Sequence, residues 1–358
     1  MNHYRQEQLN ASFLFFMAVL AMVISNSAWQ SAYQFMLNIS LHAINEGLMA
    51  LFFFTVGLEL RREFSTGHLK GQLLFPLVGA LGGVIFPILI YLAFNSHSLS
   101  HLKGAPIPMA TDIAFAIGAL GFLGNKISRE MRVFLLALAT LDDLFAVLVI
   151  AIFYTQSVQL FFLLGAGLII GLLCLCRWRK VASLWIYGIL GILLWYFTLK
   201  TGVHAAVTGV LLAFFIPENK SARLEEQLKP WSLWFVLPLF AFANAGVSFE
   251  GIQAADFFNK VTLGIALGLC IGKPVGILLS TEMISFFKKT RMLSAKQIFI
   301  VGSFAGIGFT MSLFLAALSF GTDTALLNAA KIGIFAGSLL AFLMAIIVAV
   351  IYPKKMTQ

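Results

Sequence analysis

Charge is what this sequence is short of. Asp, Glu, Lys and Arg make up 11% of its 358 residues, against about 25% in a soluble domain, which excludes a water-soluble globular chain. Cysteine is nearly absent as well. Cys174, Cys176 and Cys270 lie within or at the end of apolar runs, and no second pair or histidines complete a zinc site. Neither a disulfide nor a metal framework is expected. No Gly-rich phosphate loop precedes a Lys-Ser or Lys-Thr pair, so nothing points to ATP or to any other cofactor. No connection between apolar runs is long enough for a soluble domain. What remains is hydrophobic at 60%, the composition of an all-α polytopic membrane protein. The run over 13–24 is followed by no convincing small-residue cleavage site and reads as a first helix, not a signal peptide.

Twelve apolar stretches of about 20 residues can be drawn, from one centred near Ala18 to one near Leu339, with runs about Val210 and Phe240 among them. The net charge of +9 would suggest nucleic acid in a soluble chain, but here its distribution argues for topology instead. Lys103, Lys200 and Lys260 fall in one alternate set of connections, and Lys273 and Lys331 fall inside apolar runs. All the others of the 24 Lys and Arg residues, including Lys70, Lys126, Lys354 and Lys355, fall in the opposite set. Basic residues mark the cytoplasmic side, so both termini are expected there. The longest polar connection, 217–230, mixes both signs and reads as a short amphipathic or solvated cytoplasmic segment. Gly79-xxx-Gly83, Gly167-xxx-Gly171 and Gly302-xxx-Gly306 offer close helix packing.

Against this background Asp142 and Asp143 stand out, the only charges between Val133 and Tyr154. Each acid at a helix centre costs about 2.5 to 3.5 kcal/mol on the insertion scale, and intramembrane acids are functional by default. Adjacent carboxylates repel, so one keeps its proton or a cation offsets the pair. Lys273, in Gly272-Lys273-Pro274, supplies a counter-charge from a later span. Neighbouring helical residues point about 100° apart, so one aspartate can face Lys273 and the other a water-filled cavity. Two spans should be interrupted: Pro106 and Pro108 precede Asp112, and Gly302, Gly306 and Gly308 crowd another run. They occupy matching places if spans three to five and ten to twelve form inverted three-helix repeats, the arrangement that marks a transport site. Asp112 can then offset the positive N-terminal ends of the broken helices, and Lys273 the negative C-terminal ends.

These residues resemble the NhaA-type sodium/proton antiporters. The likeness is carried by Val56-Gly57-Leu58-Glu59 with Arg62 and Glu63, Ala110-Thr111-Asp112, Asp142-Asp143-Leu144, Gly202-Val203-His204-Ala205, the stretch 239–247, Gly272-Lys273-Pro274, and Gly306-Ile307-Gly308-Phe309-Thr310-Met311-Ser312. It implies twelve transmembrane helices with two broken helices that cross, in a bacterial inner membrane. It implies electrogenic export of one Na+ or Li+ for about two entering H+, activated at alkaline pH. Asp143 would be the main cation ligand, and Asp142 would join it or exchange a proton with Lys273. Thr111 and Asp112 would line the site. Glu59, Arg62, Glu63, His204 and Glu225 match positions tied to cytoplasmic pH sensing. A moving core would take residues 70–155 and 259–351, and a dimerising scaffold 9–60 and 158–249. The sequence departs from the pattern in four places, one being the connection around Glu226 and Lys229, which lacks histidines seen elsewhere. Phe145 replaces the usual glycine, Glu46 the usual aspartate, and the connection 26–41 is shorter than the one that forms a β-hairpin across the homodimer in the best-known members.

Two other classes fit less well. An intramembrane aspartyl protease needs facing acids on separate helices, and a cation channel needs a lined pore with rings of acids. Glu250, Asp256 and Asp323 read as solvated, and Lys331 as a lysine snorkelling to the outer interface. Glu282 either supports the cytoplasmic approach to the site or faces water.

Overall fold

The structure is a computed structural model. It describes residues 2–66, 73–124, 127–155, 159–248 and 257–351. Lys70, Lys126, Glu250, Asp256, Lys354 and Lys355 lie outside the described residues. Among those described there is no strand. In order, the α-helices are α1 (Asn2–Ser25), α2 (Gln30–Ala43), α3 (Met49–Thr66), α4 (Leu74–Asn95), α5 (Leu99–Leu102), α6 (Ile113–Gly121), α7 (Arg129–Phe153), α8 (Leu160–Trp178), α9 (Leu184–Thr201), α10 (Ala206–Phe215), α11 (Glu218–Trp231), α12 (Leu237–Ala245), α13 (Lys260–Leu267), α14 (Lys273–Lys288), α15 (Ala295–Ala305), α16 (Phe309–Phe320) and α17 (Thr324–Ile351). Single π turns join α2 to α3 over Ile44–Leu48, α11 to α12 over Ser232–Val236 and α13 to α14 over Gly268–Gly272.

Among the described residues, eight helical stretches are long and apolar enough to cross a membrane, or ten if each of two bent pairs counts as one span. The bends are 43° between 99–109 and α6, and 52° between α15 and α16. The runs about Val210 and Phe240 fold as α10 and α12, of 10 and 9 residues. Alone, α10 reaches about 15 Å, half the hydrocarbon depth, whereas α12 continues α11 through the π turn as one helix over 218–245, so the twelve drawn from the sequence are not matched one for one by crossings of full length. Residues 26–41, expected as a loop, hold most of α2, which begins at Gln30. Residues 217–230 are helical too, as α11.

The chain divides into two compact units. The first holds residues 1–31, 69–146 and 244–358. Here α4 lies against α14 at near-backbone distance: a Cβ on Gly276 would meet Phe86 Cβ at 2.7 Å and the Gly82 carbonyl closer still. Gly79 and Gly83 serve the same contact, and Gly302 brings α15 onto Pro274, where a Cβ would stand 3.0 Å from its Cα. The first helix belongs to this unit: α1 packs on α6, and Glu7 pairs with Arg132 at the start of α7.

The second unit holds residues 32–68 and 147–243. Leu58, Leu173, Tyr187 and Leu194 form its buried core. Gly209 admits α3 to α10, since a Cβ there would meet Phe54 N at 2.7 Å. The free carbonyls at the end of α10 are taken by arginines: Arg61 Nη1 donates to Ala213 O (3.2 Å) and to Ile216 O, and Arg177 Nη1 donates to Phe214 O (2.7 Å). Gly202, at φ 86°, ends α9 in the left-handed conformation. The expectation for Gly167 and Gly171 fails. A Cβ at either would meet nothing within 4 Å, because this face of α8 carries no packed helix.

Candidate functional site

In the first unit the two interrupted spans meet through their backbones. The chain is extended at Ala110 and Asp112, between a 3-10 turn (Ile107–Met109) and α6. Asp112 N donates to Ile307 O at 2.8 Å, and Thr111 Oγ1 donates to Ala305 O at 2.8 Å. Asp112 caps two helices at once. Its Oδ1 accepts from Phe115 N (3.0 Å) at the start of α6, and its Oδ2 accepts from Thr310 N (3.0 Å) and Thr310 Oγ1 at the start of α16. A carboxylate suits both positive helix starts. Other groups freed by the breaks are also satisfied. Ser338 Oγ accepts from Gly308 N (3.2 Å) and Phe309 N (3.3 Å), and Ser312 Oγ donates to Ile107 O (2.9 Å).

Beside this crossing, α7 carries Asp142 and Asp143, each 1% exposed, and α14 begins with Lys273, fully buried. Lys273 Nζ donates to Asp142 Oδ2 at 2.5 Å and to Met109 O. One ammonium therefore answers a carboxylate and the negative end of the first half-span, as expected for its place. All five residues expected at the site, Thr111, Asp112, Asp142, Asp143 and Lys273, thus lie buried in this one unit. A cation displacing Lys273 or a proton would find hard carboxylate oxygens there, the ligand type suited to Na+.

The second unit gathers four of the five expected pH-sensing residues. Arg62 Nη1 lies 3.4 Å from Glu225 Oε1, and Arg62 Nη2 lies 3.5 Å from Glu63 Oε1 and 4.0 Å from Glu59 Oε1. Lys229 Nζ adds a bond to Glu59 Oε1 at 2.8 Å. Burial holds the Glu225 carboxyl above the ordinary carboxylate range; Arg62 and Lys229 oppose this, while Glu59 and Glu63 add to it. His204 is not in this cluster. It sits with Glu46, Nε2 to Oε1 3.0 Å, 13 residues from Glu59 along one helical stretch, about 20 Å. Lys331 corrects its sequence reading: Nζ turns inward to Gly246 O at 2.7 Å and does not snorkel. Asp323 accepts from Leu326 N at 3.0 Å and caps α17, and Glu282 pairs with Arg291 at 2.9 Å.

Sequence reasoning assigned no role to Ser338, to the Thr310 hydroxyl or to Glu46 as the partner of His204. The signal for Ser338 was faint: one hydroxyl beside Gly337 in a long apolar run.

Comparison with known proteins agrees with this geometry. Residues 1–349 match the family described as Na+/H+ antiporter 1. The chain is 43% identical to the Na(+)/H(+) antiporter NhaA of Yersinia pseudotuberculosis, over 93% of this chain and 91% of that one. The same identity and share of this chain hold for the proteins of that name from Yersinia pestis and Yersinia enterocolitica, with 91% and 92% of those chains covered. With a buried acid pair, a paired lysine and two broken spans joined at Asp112, this multi-pass membrane chain belongs to the NhaA Na+/H+ antiporter family.

Proposed function

We propose that this chain exports cytoplasmic Na+ or Li+ in exchange for external H+, at about two H+ per cation, through alternating access to one site at Asp142 and Asp143. The observation that carries the reading is the buried contact of Lys273 with Asp142 at 2.5 Å, next to Asp143. In the proton-loaded state Asp143 holds one proton and Lys273 the other, with the ammonium neutralising Asp142. Na+ takes the place of both protons, ligated by the two carboxylates while Lys273 is neutral. The two states differ by one charge, which makes the exchange electrogenic. Alkaline cytoplasm favours the sodium-loaded state because protons and Na+ compete for the same oxygens.

The remainder of the reading follows the family. The chain crosses a bacterial inner membrane twelve times, with α10 as a partial crossing, and both termini face the cytoplasm. Residues 70–155 and 259–351 serve as the moving core. Residues 9–60 and 158–249 serve as the scaffold through which a homodimer forms, with membrane lipid around it. Glu59, Arg62, Glu63 and Glu225 sense cytoplasmic pH as one charge cluster, and His204 does so through Glu46.

The test is reconstitution into liposomes with an imposed Na+ gradient and a lumenal pH indicator. Sodium-dependent proton movement is expected, and Asp143→Asn abolishes it while Asp112→Asn weakens it. Intact wild-type protein that moves no protons in response to Na+ overturns the reading.

A further inference from the structure

Serines on the helices of the first unit commonly give their hydrogen to the carbonyl four residues back. Ser285 Oγ donates to Thr281 O at 2.8 Å, Ser303 Oγ to Phe299 O at 2.8 Å and Ser319 Oγ to Leu315 O at 2.6 Å. Ser338 on α17 makes no such bond among the described residues. It is buried and faces α16, accepting from Gly308 N at 3.2 Å and Phe309 N at 3.3 Å. Amides at a helix start have no partner in their own helix. Three successive ones at the start of α16 are divided between two side chains: Gly308 N and Phe309 N go to Ser338, and Thr310 N goes to Asp112.

Ser338 does not grip alone. Phe335, three residues earlier on the same face of α17, meets the Phe309 ring with centroids 5.5 Å apart, and Phe115 of α6 meets that ring at 4.4 Å. Residue 309 is thus held by α17 through its amide and through its ring. Glycines fix α17 in turn to the span that carries Lys273. A Cβ on Gly333 would meet Thr262 O at 2.7 Å, and one on Gly337 would meet Ala266 Cα at 2.9 Å, both on α13. Thr262 Oγ1 also donates to Ala329 O at 3.0 Å. Through the π turn, α13 runs into α14, which opens on Lys273. One helix, α17, therefore connects the start of α16, which Asp112 caps, to the span whose lysine holds Asp142.

We propose that Ser338 is a positioning residue for the cation site, acting not on the cation but on the start of α16, which it keeps in register with Asp112 and Lys273. Without its oxygen two buried amides lose their acceptor, which costs more than an ordinary hydrogen bond is worth. The first turn of α16 relieves that cost by shifting, Thr310 parts from Asp112, and the site loosens. A binding site whose supporting contacts are slack loses affinity before it loses its fold. A hydroxyl fits this place because it accepts from two amides without adding a second negative charge beside Asp112. The inference rests on the antiport reading and deepens it by giving α17 a part in cation affinity.

The experiment measures half-saturating Na+ and maximal exchange rate in liposomes, with the rate normalised to folded protein. Ser338→Ala is expected to raise half-saturation about fivefold, the worth of one neutral hydrogen bond, and to leave the normalised maximal rate nearly intact. Ser338→Thr keeps the hydroxyl and restores the wild-type value. Ser338→Cys, a poorer acceptor of the same shape, repeats the Ala result should that variant fail to assemble. In an Asp112→Asn background Ser338→Ala adds little, because both act through the start of α16. Unchanged half-saturation with only a lower yield or rate marks a merely structural role and overturns the proposal, as does a rise of equal size with and without Asp112→Asn. Wild-type protein in the same liposomes separates the two claims: if it exchanges while Ser338→Ala matches it, only the positioning role falls, and if it does not exchange, the antiport reading falls and takes this inference with it.

Discussion

Lys273 is held by a carboxylate and a carbonyl with its side chain fully buried, and its neighbours set what its removal does. Lys273→Met leaves Asp142 as an uncompensated buried charge, a loss of about 3–5 kcal/mol. Asp142→Asn together with Lys273→Met removes both charges and recovers most of that loss. Thermal unfolding in detergent of the two single variants and the double variant checks this as a mutant cycle. A double variant no more stable than Lys273→Met alone would show that the two groups do not compensate each other. The pair was legible in the sequence because a charge in the middle of an apolar run demands a partner, and only one mid-span lysine stood in a matching place. Ser338 was not legible, since one hydroxyl in a long apolar run does not say which backbone donors it answers.

Between elements, the contact of α3 with α11 depends on one carboxylate that water barely reaches. Glu225 lies 2% exposed against Arg62, with Glu59, Glu63 and Lys229 around it. Burial raises its pKa above the ordinary carboxylate value, so the folded chain holds this proton more tightly than the unfolded one. The stability it contributes is present below the ordinary value and is lost as pH rises through the raised one. Glu225→Gln removes that loss. Unfolding followed from acid to alkaline pH should therefore favour the variant increasingly as pH rises. A difference between the two proteins that stays flat with pH would exclude Glu225 as the titrating group. The sequence showed this segment only as mixed charge, because ion pairs across helices leave no local periodicity. The breaks were clearer: prolines before Asp112 and three glycines in another run located both. Which hydroxyl closes which carbonyl depends on register between helices far apart in the chain, and no local pattern records it.

For the whole molecule, the uneven placement of Lys and Arg predicts orientation, while length alone leaves eight to ten full crossings. Part of the shortfall comes from α10, whose apolar run includes residues that fold outside the helix. The packing of α1 on α6 was not legible, because it depends on shape: a Cβ on Gly118 would meet Glu7 O at 3.1 Å. If each cycle carries one net charge, the membrane potential supplies about 2.3 kcal/mol per 100 mV. A potential negative on the cytoplasmic face, set by a potassium gradient with valinomycin, should then accelerate Na+ export. Equal rates with and without that potential would mark the exchange as electroneutral.

Asp112 fastens the start of α6 to the start of α16, two pieces almost 200 positions apart in the chain. Tipping either piece alone would tear a carboxylate from backbone donors with no solvent at hand to replace it. Any rocking must therefore pivot elsewhere, and the knot at the crossing travels intact, like freight lashed to its own deck.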